Sequence, residues 1–184
     1  ADENEIIIFL KDNIIVHQEG GIRELATMLA STMTDGFGCA LEPSDGISVF
    51  HETDELTEFS LDHYYGADGE IMPEPVPFKS KHENMGEWLI DLGISLPKPI
   101  APVCYGGVFA AKRSQISKVP RKVWQNMERS LSRGDNIEEG HFAERTWAGL
   151  LYRPLTSREV KLLQGRSQRV YGWTNAMLGA LMKE

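Results

Sequence analysis

Cysteine is scarce in this chain. Only Cys39 and Cys104 occur in 184 residues. Neither sits in a Cys-x-x-Cys pair or at zinc-site spacing, which removes the sequence case for a zinc module or a dithiol redox motif. The two can pair, or both can serve as small buried hydrophobes; free and buried is the expectation. No run of 18 apolar residues exists, so no segment reads as a membrane-spanning helix. No Asn-x-Ser/Thr site exists, which weighs against a heavily glycosylated secreted protein. Walker loops, GxGxxG fingerprints and GxSxG elbows are missing, and serine or cysteine nucleophiles gain no support from motif. The five histidines stand at 17, 51, 63, 82 and 141, none at the pair spacing of a zinc site. No repeat, low-complexity tract or signal-peptide pattern is visible. The chain starts at Ala1 without a methionine, so a missing leader or a larger upstream part is a live reading.

Hydrophobic residues make up 41% of the chain and include four tryptophans, enough for one domain with a real core. The net charge of −8 is uneven. Residues 1–149 hold 13 basic and 25 acidic side chains, whereas residues 150–184 hold six and two. Lys112 to Arg133 forms a basic block with only Glu128 opposing it. Such a block suits phosphate-bearing ligands, and it equally suits a solvated helix face. Overall acidity argues against general nucleic-acid binding.

Ile6 to Leu10 is an apolar run with the character of a fully buried strand in a parallel sheet. Ile22, Leu25, Met28 and Leu29 follow at helical spacing after Gly20-Gly21. Ile47 to Phe50 reads as a short strand, and His51 to Lys81 as a long irregular connection. Met85, Trp88, Leu89 and Leu92 form a stripe that predicts a helix over 82–92, closed by Gly93. Val108 to Ala111 reads as a strand. Helices are expected after Pro120, over roughly 137–151, after the Thr156-Ser157-Arg158-Glu159 capping box, and around Val170 to Leu181. This order predicts an α/β fold with a mostly parallel sheet and a helical C-terminal part. Residues 1–155 form the α/β domain and 156–184 a helical extension packed on it.

The candidate chemistry lies in two places. Glu138 and Glu139 open a helix, where carboxylates favour the dipole; they can also act as a general base or anchor sugar hydroxyls. Glu138, His141 and Arg145 fall at i, i+3 and i+7, so one helix face can carry all three into one polar space. His141 can contact substrate or be an ordinary hydrogen-bonded histidine. Arg145 can hold a diphosphate or pair with a neighbouring glutamate. Gly106-Gly107 lets a backbone approach a ligand, or marks a bulge. Asp12, just past the first strand, can hold a divalent metal or stabilise a turn.

Cys104-Tyr105-Gly106-Gly107-Val108-Phe109-Ala110-Ala111-Lys112-Arg113, followed by Glu138-Glu139-Gly140-His141-Phe142-Ala143-Glu144-Arg145, resembles the second half of GT-A-type glycosyltransferases. The likeness is greatest to an uncharacterised glycosyltransferase-like family with a Glu-Arg-x-Trp helix, here Glu144 to Trp147. The resemblance implies a nucleotide-sugar donor and an acceptor hydroxyl. It makes Glu138 or Glu139 the base and sets Gly106 and Gly107 beside the acceptor. It also implies diphosphate contacts from Arg113 and Arg145, and a manganese or magnesium ion on Asp12. The metal motif reads Lys11-Asp12-Asn13, with one carboxylate. The alternative is a non-catalytic module on the same scaffold, binding a protein partner through the C-terminal helices near Tyr171 and Trp173. The lumen of the Golgi and the cytoplasm both stay open as compartments.

Overall fold

The structure is a computed structural model, and it describes residues 2–10, 21–40, 48–63, 77–105 and 107–164. The elements run β1 Ile6–Phe9, α1 Gly21–Asp35, β2 Phe37–Cys39, β3 Ser48–Glu52, α2 Thr53–Thr57, α3 Met85–Leu92, β4 Ile100–Cys104, β5 Phe109–Lys112, α4 Arg113–Lys118, α5 Arg121–Leu131, α6 Glu138–Leu151 and α7 Ser157–Gln164. The expected helix of 170–181 lies outside the described residues. α7 packs on β4.

The expectation of a mostly parallel sheet fails. One sheet has the order β1-β5-β2 and the other pairs β3 with β4. Among the described residues every pairing is antiparallel, with Ile8 opposite Ala110, Gly38 opposite Ala110, and Phe50 opposite Pro102. The apolar run at the start misleads for a physical reason. β1 is an edge strand, and its Ile8 and Phe9 are 44% and 40% exposed. An apolar run reports hydrophobicity, but not strand direction or what covers the second face.

Local signals place the helices well. Met85, Trp88, Leu89 and Leu92 are all buried, and Asn84 caps α3 by accepting from the Glu87 amide at 3.0 Å. Gly93 ends α3 with φ at 73°, a left-handed conformation that costs glycine little. Thr156 and Glu159 form the expected reciprocal box. The Thr156 amide donates to Glu159 at 2.7 Å and the Glu159 amide donates back to Thr156 Oγ1 at 3.2 Å. Arg153 then clamps Glu159 from the other side at 2.7 Å and also reaches Asp35 at 2.8 Å. This bonding pulls the Glu159 carboxyl down to about 2.

Helix α6 covers β4, and α1 covers β2 and β5. Between these layers the core gathers Trp88, Phe142, Val103, Phe109 and Met127. Gly38 permits the close seat of α1, because a Cβ there would lie 2.0 Å from the Met28 carbonyl oxygen. The reading of Cys39 and Cys104 as free thiols is also corrected: they form a disulfide that ties β2 in one sheet to β4 in the other. Their Cα atoms are 5.8 Å apart although 65 positions separate them in sequence. No single-sequence spacing reports that nearness.

Candidate functional site

The acidic pair opens α6, where two carboxylates complement the helix dipole. Adjacent helical residues point roughly 100° apart, so the two acids have different surroundings. Glu138 is fully buried. Its carboxylate accepts from the Leu61 amide at 2.7 Å, the Ser80 amide at 2.9 Å and Lys79 Nζ at 3.1 Å. Its own amide donates to the Phe78 carbonyl at 3.0 Å. Glu139 accepts from Arg133 Nη2 at 2.6 Å. Arg133 donates as well to the carbonyls of Pro77, of Phe78 at 3.2 Å and of Lys79 at 3.3 Å. Together the pair pins residues 77–80 across the head of α6. With three donors and no exposed surface, Glu138 offers no face to a substrate. Glu139 does: it lines a hollow.

That hollow is a cleft of about 720 Å³ between residues 77–82, α3 and α5. Lys79, Lys81, Arg129 and Arg133 bring positive charge to its wall, against the carboxylates of Asp91 and Glu139. The two helices are tied together beneath it: Trp88 Nε1 donates to Ser130 Oγ at 2.8 Å, and Asn126 Nδ2 to the Leu92 carbonyl at 3.4 Å. Lys81 pairs with Asp91 at 3.1 Å. Hydrogen bonds from Lys81 and then His82 hold the Asp91 carboxyl below its ordinary value. The Ser80 hydroxyl lies 3.1 Å from His82 Nδ1, and His82 Nε2 lies 3.0 Å from Asp91 Oδ2. Arg133 Nε is buried and has no partner among the described residues.

The remaining expected site residues scatter. Arg145 stacks its guanidinium over Phe59, 3.7 Å from the ring centroid, with Tyr105 at 5.0 Å. Its Nη1 donates to the His141 carbonyl at 3.1 Å, and burial lowers its pKa. The His141 ring sits beside Phe78, with centroids 5.9 Å apart. Glu138, His141 and Arg145 share a helix face but do not open onto one polar space. Arg113 pairs with Glu5 at 2.6 Å, and that bond raises its pKa. Gly107, with φ at 67°, borders a second hollow of about 480 Å³ walled by Phe9, Phe109, Trp124 and Trp147. Gly107 and Glu139 therefore face different cavities. Gly106 and Asp12 lie outside the described residues.

Sequence reasoning passed over Ser80, His82 and Asp91 as site residues, whereas Arg129 and Arg133 belong to the basic block read as suited to phosphate. The one available signal was the polar run Lys79-Ser80-Lys81-His82 directly ahead of a strongly apolar helix. Comparison with known proteins finds no matching family model, no matching curated protein and no matching solved structure. Among the described residues, no group of three His, Cys, Asp or Glu could hold a metal ion, and no helix is long and apolar enough to cross a membrane.

Proposed function

We propose that this chain is a glycosyltransferase-like domain whose cleft at Glu139 receives the phosphate- and hydroxyl-rich end of a nucleotide-sugar. One observation carries the reading. Of the two acids that the resemblance marks as the base, Glu139 alone meets a cavity, and four cationic side chains line that cavity. In the proposed step Glu139 takes the proton of the acceptor hydroxyl. The acceptor oxygen bonds to the anomeric carbon as the bond to the departing phosphate oxygen breaks. Lys81 and Arg129 balance the charge left on that phosphate. They take over the diphosphate role from Arg113 and Arg145, which do not line this cleft and lie against Glu5 and against aromatic rings. A manganese or magnesium ion held by Asp12 would neutralise diphosphate charge.

Calorimetry with nucleoside diphosphates, with and without manganese, tests the binding. A screen of nucleotide-sugar donors tests the chemistry, and Glu139→Gln should abolish turnover while the fold survives. Full turnover in that variant removes the base assignment. A second reading is favoured by the way both acids are spent on pinning residues 77–80. On that reading the domain is a non-catalytic module. Absence of nucleotide binding together with stable co-purification of a protein partner selects it.

A further inference from the structure

The chain Ser80–His82–Asp91 lies in the same cleft as the sugar-transfer reading, but its chemistry uses neither Glu139 nor a nucleotide. Asp91 carries a carboxylate, which only accepts hydrogen bonds. Its bond to His82 Nε2 at 3.0 Å therefore places the proton of a neutral imidazole on Nε2. Nδ1 is then an acceptor, and the group facing it at 3.1 Å is the Ser80 hydroxyl. One tautomer satisfies both bonds at once, and it leaves Ser80 Oγ–H pointing at a base that a carboxylate orients. The His82 amide donates to Ser80 Oγ at 3.2 Å and fixes the hydroxyl in this place. All three residues line the cleft. The partnership of a nucleophile, a base and an orienting group is recognised by geometry rather than by sequence order.

We propose that Ser80 is a nucleophile toward carboxylate esters, with His82 as its base and Asp91 as the positioning residue. Lys81, Arg129 and Arg133 on the same walls favour esters whose acyl part bears a negative charge. As Ser80 Oγ bonds to the acyl carbon, its proton moves to His82 Nδ1. The ester C–O bond then breaks and the leaving alcohol takes that proton. Water attacks the acyl-serine bond, passes a proton through His82 to Oγ, and releases the acid.

Fluorophosphonate labelling of the folded full chain, read by peptide mass spectrometry, tests this without any sugar or nucleotide. The expected result is one label on Ser80, lost on prior denaturation and in Ser80→Ala. Asp91 is half exposed on α3, so Asp91→Asn should fold normally. It should nonetheless slow labelling by roughly 100-fold or more, the scale of general-base assistance. Asp91→Glu should restore much of the rate, and His82→Gln should not. The wild type should also cleave the p-nitrophenyl monoester of succinic acid faster than p-nitrophenyl acetate. Absence of label, labels spread over several serines, or equal labelling in Asp91→Asn would overturn the proposal and leave these bonds as a turn brace. The sugar-transfer reading fails by different measurements, on Glu139 and nucleotide binding.

Discussion

Replacing Glu138 with glutamine separates a pin from a base. In the wild type its carboxylate accepts three hydrogen bonds at 2.7, 2.9 and 3.1 Å with no exposed surface. Glutamine keeps the shape but turns one oxygen into an NH2 donor. That donor must face the amide of Leu61 or the amide of Ser80. At least one of these amides then loses its acceptor, and Lys79 loses its nearer anionic partner while Asp62 stays 3.9 Å away. Leaving such an amide donor without an acceptor costs about 1–3 kcal/mol, and Lys79, 40% exposed, is resolvated by water. Single-domain proteins hold only about 5–15 kcal/mol in total, so the loss is a large share. Urea unfolding followed by far-UV circular dichroism should show it as a lower midpoint. Glu139→Gln, measured beside it, should lose less, because Arg133 keeps its three carbonyl partners. If Glu138→Gln unfolds at the wild-type midpoint and loses transfer activity, the carboxylate is reactive and the pinning argument falls.

Three further outcomes follow from other parts of the molecule. Cys39→Ala/Cys104→Ala should lower stability by about 4 kcal/mol from loop entropy over the 65-residue separation, and adding reductant to the wild type should reproduce the loss. Glu159 has a folded pKa of about 2 against an ordinary 4.5, so its stabilisation is present above pH 4.5 and disappears as pH falls toward 2. The shift corresponds to about 3 kcal/mol at most, since Arg153 is part-exposed, and Glu159→Gln should flatten that stretch of the acid-unfolding curve. Gly38→Ala should cost about 1–3 kcal/mol by pushing α1 off β2, seen as a drop in thermal midpoint. A variant as stable as wild type would show that α1 is seated less closely.

What the sequence made legible is local. The stripe from Met85 to Leu92, the closing Gly93 and the Thr156–Glu159 box each depend on neighbours within a few positions and each is found, although α3 begins at Met85 and not at residue 82 as read. β2 went unread because Phe37-Gly38-Cys39 is three residues long and flanked by a turn glycine. The antiparallel order and the Cys39–Cys104 bond are set by residues tens of positions apart. The acidic pair shows the same divide. Its place at a helix start was readable, but the burial of Glu138 depends on residues 61 and 78–80 folding over it. Ser80, His82 and Asp91 carry no motif, and only the packing of residues 77–82 against α3 brings them into line.

Trp88 joins the two helical walls of the cleft from below, through its bond to Ser130. Its indole is shielded from water, one hydrogen bond from the cavity surface. Any occupant that draws α3 and α5 together or apart must disturb that bond, and with it the emission of the indole. Trp88, one of four tryptophans in the chain, is thus placed where a change in the spacing of the two walls is felt first at its indole N–H.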